Sequence, residues 1–150
     1  MAIEKIVVVD DELMIRKSLE TQLRNKRYSV ASAAGLAGAR KILERDAFDL
    51  VLANPPYIPT GDLPALQTEV REHDPALALD GGVDGLEFYR ALAKLVLPRL
   101  KPTGRLMLEV GDGQAEAVAV LLAEAGWGEC DLLPDLNKVL RIVIASRANP

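Results

Sequence analysis

The sequence predicts an α/β fold: a single doubly wound, three-layer sandwich around a mostly parallel sheet of about six strands. Short apolar runs alternate with segments of helical periodicity along most of the chain. Such alternation builds parallel sheets with helices on both faces. Polar residues stand directly after two of the apolar runs, Asp10-Asp11 after the first and Asn54 after the third. That is the carboxyl edge, where open α/β sheets bind their ligands. The last two strand-like runs are joined too tightly for a parallel crossover, so one of them is expected to run antiparallel.

Each element has a local cause. Residues 5–9 form a continuous apolar run, the signature of a strand buried on both faces. Ile15, Leu19 and Leu23 recur every four residues, which marks one face of a helix. Arg24, Lys26 and Arg27 stand at its C-terminal end, where cations suit the helix dipole. A second strand is read at 28–32, and a second helix from Leu36, Ala39, Ile42, Leu43 and Ala47. The third strand spans 48–53 and runs into Asn54-Pro55-Pro56-Tyr57. A long segment, 58–82, carries Pro59, Pro64 and Pro75, and long loops in compact domains are commonly functional.

Asp84 and Glu87 match a capping box. Leu86, Tyr89, Leu92, Ala93, Val96, Leu97 and Leu100 follow at helical spacing, with Pro102 and Gly104 as the stop. A fourth strand is read at 105–110, closed by Gly111-Asp112-Gly113. Val118, Leu121, Leu122 and Ala125 then form a helix face, with Gly126 as its C-terminal cap. Strands at 131–133 and 139–145 close the chain around a turn at 135–138.

Composition narrows the function. The 150 residues suffice for one domain with a proper core. A net charge of −4 argues against non-specific nucleic-acid binding, which runs on basic patches. No apolar run approaches the ~20 residues of a membrane span, and the N-terminus lacks a signal-peptide layout. The expected location is cytoplasmic. Cys130 is the sole cysteine, so neither an intrachain disulfide nor a cysteine zinc cluster is available. It reads as a small buried side chain, and Trp127 as a packing anchor. His73 is the sole histidine and reads as a solvated loop residue. Gly81-Gly82-Val83-Asp84-Gly85 fits no phosphate-loop pattern and reads as a turn into a helix.

Asp10 and Asp11 have two readings. Adjacent carboxylates suit a hard divalent cation such as magnesium, and either one serves equally well as a helix cap. The run Lys5-Ile6-Val7-Val8-Val9-Asp10-Asp11-Glu12, with Phe48-Asp49-Leu50-Val51-Leu52, resembles a bacterial response-regulator receiver domain over about residues 4–53. The resemblance implies a flavodoxin-like fold, magnesium on the acidic pair and a sensor kinase as partner. It places Asn54 where the family has its phosphoaccepting aspartate. A neutral amide forms no acyl phosphate. Val110 and Gly111 stand where receivers carry a hydroxyl, and Lys101-Pro102 follows a helix where they have a Lys after the fifth strand.

Asn54-Pro55-Pro56-Tyr57 resembles the motif of S-adenosylmethionine-dependent methyltransferases that modify planar amide or amino nitrogens. In that family the Asn side chain and a proline carbonyl hold the target NH₂ and the Tyr ring packs on its plane, which is catalysis by positioning. Ile58-Pro59, the run from Glu69 to Pro75, the run from Ala78 to Leu86, Arg105 to Gly111 and Gln114-Ala115 look like one subfamily. That subfamily is the glutamine methyltransferase of peptide chain release factors, and the likeness covers about residues 48–147. It implies Asn54, Pro55 and Tyr57 as the substrate-amide site and Glu109 beside the cofactor. The family's glycine-rich turn after the first strand is replaced by Asp10-Asp11-Glu12-Leu13, and Ser32, Ala33 and Ala34 stand where it has an acid for the ribose. The S-adenosylmethionine site is therefore incomplete.

The two resemblances meet in one strand, 48–53. The expected product is a flavodoxin-like/Rossmann-like hybrid with strand order 2-1-3-4-6-5 and the last strand antiparallel. Residues 1–53 form the receiver-like fragment and 54–150 the methyltransferase-like fragment of a single domain. Each half lacks its complement, which implies an engineered chimera without efficient native activity, resident cofactor or native partner, as a monomer or weak dimer. Lys138-Val139-Leu140 departs from the run expected in the methyltransferase, consistent with redesign of the final hairpin. The alternatives are a residual glutamine methyltransferase acting on release factors and a magnesium-binding module without a phosphoacceptor.

Overall fold

The computed structural model describes residues 2–66 and 79–149. Its six strands form one sheet in the order β2-β1-β3-β4-β6-β5. The strands are β1 (Lys5–Asp10), β2 (Ser29–Ala33), β3 (Phe48–Asn54), β4 (Leu100–Glu109), β5 (Trp127–Pro134) and β6 (Leu140–Arg147). The helices are α1 (Leu13–Asn25), α2 (Leu36–Arg45), α3 (Glu87–Val96) and α4 (Ala115–Glu124). β2, β1, β3 and β4 pair in parallel, and β6 runs antiparallel to both β4 and β5. The mostly parallel six-stranded sheet in the order 2-1-3-4-6-5, with its last strand antiparallel, is thus observed as read from the sequence.

Alternation along each strand divides the core in two. Val7, Val9, Val51, Leu106, Leu108, Val143 and Ala145 face one side of the sheet, where they join Ala39, Leu43, Tyr89, Leu92, Val96, Val118 and Leu122 of α2, α3 and α4. Ile6, Val8 and Leu50 face the other side, against Leu19 and Leu23 of α1. Both faces of β1 are buried, hence its unbroken apolar run. On the α1 side, Met107, Ile142 and Ile144 stay half-buried. Trp127 is buried and donates its indole N–H to the Ala93 carbonyl (3.0 Å), tying β5 to α3. Gly126, at φ +95°, ends α4 as predicted. Cys130 is half-buried rather than fully enclosed.

Three local readings are corrected. α3 does not reach Leu100: it ends at Val96, a 3₁₀ turn (Leu97–Arg99) follows, and Leu100 opens β4. Pro98 is the cause, since it lacks an amide and its ring meets the carbonyl four residues back. β4 accordingly starts at Leu100, ahead of the predicted 105. It pairs Phe48 with Leu100 and Leu50 with Arg105, so residues 101–104 stand opposite Asp49 alone. Lys101 therefore lies in a strand bulge and not after a helix.

The capping box does not form. Leu86 holds the N-cap position without a side-chain cap. Asp84 accepts the Leu86 amide (3.0 Å) and pairs with Arg90, which holds its carboxyl down at about 2. The last two strands are longer than the predicted 131–133 and 139–145, because each edge of the hairpin continues pairing, from Trp127–Arg147 to Pro134–Leu140.

Candidate functional site

The parallel strands end together at one edge of the sheet, and their last residues build the site. β1 closes on Asp10, β3 on Asn54 and β4 on Glu109. Asp10 and Asn54 are register partners across the β1–β3 pair. The Asn54 side-chain amide donates to Asp10 Oδ2 (3.4 Å). Asp10 Oδ1 accepts the Glu12 amide (2.9 Å), and the Arg16 guanidinium donates to the Asp10 carbonyl (2.6 Å). Asp10 is only 3% exposed. It organises the turn before α1 and is not the cap, a position held by Glu12. Tyr89, buried on α3, donates its hydroxyl to the Glu109 carbonyl (2.8 Å), and burial pushes its own pKa well up.

The 54–57 segment is braced from three sides. The Ile58 amide donates to the Leu79 carbonyl (3.1 Å) and the Gly81 amide to the Ile58 carbonyl (2.7 Å), closing a bridge between Ile58 and Asp80. Thr60 Oγ1 and the Gly82 amide both donate to Asp80 Oδ1 (2.6 and 3.0 Å). Gln114 donates to the Tyr57 carbonyl (2.8 Å) and accepts the Gly111 amide (2.9 Å). A Cβ at Gly81 or Gly85 would stand 2.8 Å or 2.5 Å from Tyr57 backbone atoms. The 81–85 glycine run is thus a bed for Tyr57 as well as the predicted turn into α3. Spacing along the chain reveals the turn and not the bed.

Two clefts flank this segment. One, about 450 Å³, is lined by Asp11, Glu12, Leu13, Tyr57, Ile58 and Glu109, among others. The second, about 410 Å³, lies on the opposite side, between Asp10, Asp11, Ala34, Leu36, Phe88 and Leu92. Asn54, Pro55 and Pro56 wall both. Burial pushes the Glu109 carboxyl above its usual range; the Asp10 charge adds to this and Arg141 opposes it. A carboxylate with a raised folded pKa keeps the folded state most stable at low pH and loses that stability as pH rises through the folded value. Glu109→Gln is therefore expected to raise the melting temperature at about pH 7 and to lose most of that effect at about pH 3, below the ordinary glutamate value. A lower melting temperature at neutral pH would contradict this charge crowding.

The two implied groups fit this donor set poorly. A divalent cation held on the acidic turn would compete with the Glu12 and Asn54 N–H donors for the Asp10 oxygens. Among the described residues no three His, Cys, Asp or Glu side chains cluster to hold a metal. An anionic cofactor group held at the start of α1 would need free amides there, and the turn before α1 instead presents the Asp10, Asp11 and Glu12 carboxylates. After β2, Ala34, Gly35 and Leu36 line the second cleft and carry no carboxylate for a ribose hydroxyl. Ser32 donates its hydroxyl to the buried Glu20 of α1 instead. His73 and the run from Glu69 to Pro75 lie outside the described residues. Among the described residues, no helix is long and apolar enough to cross a membrane.

No family model matches the chain. It is 51% identical over 96 residues to the release factor glutamine methyltransferase of Geobacter sulfurreducens, covering 64% of this chain and 34% of that protein. It is 54% identical over 108 residues to the Bradyrhizobium diazoefficiens protein of the same name, covering 71% and 36%. The chain thus spans about a third of the length of these curated relatives. In three dimensions it superposes on a ribosomal protein L11 methylase from Lactobacillus delbrueckii subsp. bulgaricus with a TM-score of 0.55 at 13% identity, over 99% of this chain and 72% of the other. That likeness is one of fold alone. A response regulator receiver domain protein from Methanospirillum hungatei superposes at 0.49 with 21% identity, over 83% and 77%.

Proposed function

We propose that this chain is an engineered hybrid scaffold. A receiver-like fragment, 1–53, replaces the first part of a release factor glutamine methyltransferase fragment, 54–150. The scaffold keeps the platform that orients a planar amide and has no efficient native activity. The braced 54–57 segment facing an acidic turn carries this reading. Asn54, with its NH₂ turned to Asp10, has its carbonyl oxygen left to accept from a target amide, and the Pro55 carbonyl is the second acceptor. Tyr57 supplies the flat wall. Two acceptors fix the NH₂ protons and aim the nitrogen lone pair out of the amide plane. What is missing is the second reactant's seat. Holding two reactants in attack geometry supplies ~7–11 kcal/mol in enzymes, and none of that is available while the methyl donor has no fixed place.

The test is methyl transfer from S-adenosylmethionine to a glutamine peptide of a peptide chain release factor. Incorporation no higher than a heat-killed control is expected. The companion amide NMR spectrum is expected to be dispersed, with Asn54, Tyr57 and Glu109 unmoved by S-adenosylmethionine. Turnover that disappears in Asn54→Ala would overturn the scaffold reading. It would favour the residual S-adenosylmethionine-dependent glutamine methyltransferase instead, a reading that the intact bracing of Tyr57 supports. The scaffold needs neither a sensor kinase nor a release factor as partner.

A further inference from the structure

Gln114 sits at a three-way crossing. Its Nε2 donates to the Tyr57 carbonyl and its Oε1 accepts the Gly111 amide, at 2.8 and 2.9 Å. The first bond joins residues 57 positions apart. The side chain is confined on both sides: a Cβ at Gly85 would stand 2.9 Å from its Nε2 and one at Gly111 2.7 Å from its Oε1. Its backbone is fixed too, since its amide donates to the Gly111 carbonyl (3.1 Å) and its carbonyl accepts the Val118 amide (2.9 Å) at the start of α4. Both polar ends of the amide are therefore committed to backbone groups on different elements. A rigid link of this kind sets a distance.

We propose that Gln114 is the positioning residue of the amide platform. By spanning from the end of β4 to the Tyr57 carbonyl, it sets where Tyr57 and Asn54 stand above the edge of the sheet. The proposal rests on the reading of residues 54–57 as an amide platform, and it concerns a residue that touches no substrate. Gln114 grips the Tyr57 backbone itself, whereas the bridge at Ile58 and Asp80 holds the next residue along. Loss of Gln114 would leave the segment anchored downstream, and free to shift at the two residues that meet a ligand.

The chemistry supplies a discriminating pair of variants. Gln114→Leu fills the space and offers neither donor nor acceptor. Gln114→Glu keeps the acceptor for Gly111, but at neutral pH it sets a carboxylate against the Tyr57 carbonyl. Protonated, the same carboxyl regains an O–H donor. The Glu variant is therefore a switchable version of the link, and the Leu variant is permanently broken.

The experiment is amide and side-chain NMR with hydrogen exchange on the free, full chain. In Gln114→Leu, and in Gln114→Glu at neutral pH, the Asn54 side-chain NH₂ resonances are expected to move. Exchange at the Ile58 and Gly81 amides should quicken about tenfold, the scale of one lost neutral hydrogen bond, while Val7 and Val51 stay protected. Lowering the pH to about 4, near the ordinary glutamate value, should return the Glu variant, but not the Leu variant, toward the wild-type pattern. Unmoved Asn54 resonances in both variants, or no recovery of the Glu variant on acidification, would overturn the proposal. A glutamine-containing peptide titrated into the same samples separates the two readings. If wild type fails to bind it, the amide-platform reading falls while the resonances still decide the role of Gln114. If Asn54→Ala abolishes binding and Gln114→Glu leaves it unweakened, the platform stands and the positioning role falls.

Discussion

Replacing Asp49 with alanine is expected to cost about 3 kcal/mol of stability at neutral pH, the sum of leaving several donors without their acceptor. Asp49 sits within the apolar third strand at 8% exposure. Its Oδ2 accepts the amides of Glu4 (3.1 Å) and Lys5 (2.8 Å) and the Lys101 ammonium (3.1 Å). One carboxylate thus ties the entry of β1 to β3 and to the bulge that opens β4. Burial pulls its pKa upward, but the Lys5 amide, the Lys101 ammonium and the Glu4 amide together hold it below the usual value. A carboxyl with a depressed folded pKa stabilises above its unfolded value, near ~3.9, and loses that contribution as pH falls through the folded one. Denaturant unfolding of wild type and Asp49→Ala should therefore differ widely at about pH 7 and converge as pH falls through the folded value. Equal destabilisation at both ends would show that lost packing, not charge-assisted hydrogen bonding, is the cause. Asp49→Asn, which keeps a neutral acceptor, is expected to fall between the two at neutral pH.

Gly85→Ala is expected to cost about 2 kcal/mol or more, and to displace Tyr57. The residue has φ +79°, and an added Cβ would meet the Tyr57 carbonyl at 2.5 Å. Left-handed backbone alone accounts for roughly 1–2 kcal/mol in a residue with a Cβ. Gly113 isolates that backbone part, because it has φ +77° and nothing within 4 Å of a Cβ. Thermal melts of the two alanine variants should differ, with Gly85→Ala the lower, and only Gly85→Ala should shift the Tyr57 resonances. Equal losses would mean that the collision is absorbed by the loop and that the glycine bed does not support Tyr57.

Segments far apart in the chain meet at both ends of the sheet. At one end Asp49 joins Glu4 and Lys5 to Lys101. At the other, Asn54 turns its amide to Asp10 while Glu109 crowds the same carboxylate. There the Asn54 amide stands beside two carboxylates, those of Asp10 and Glu109, at the carboxyl edge of the sheet.

The sequence by itself determined what nearest neighbours and short periods decide. The unbroken apolar stretch of β1 follows from burial on both faces, and the four-residue recurrence of Ile15, Leu19 and Leu23 from a helix with one buried side. The ends of β1 and β3 are legible because Asp10 and Asn54 interrupt apolar runs, that of β4 to within a residue because Gly111-Asp112-Gly113 follows it, and the tight final turn requires an antiparallel partner. Only the tertiary structure decided which distant groups meet. Asp49 reads as one polar residue in a strand until Glu4, Lys5 and Lys101 converge on it. Gln114 carries no local signal of its role until Tyr57 arrives from 57 positions away. The glycines at 81 and 85 read as a turn until Tyr57 lies on them. These are hydrogen bonds and close approaches between segments far apart in the chain. They leave no local period, and they exist only once the sheet has brought the segments together.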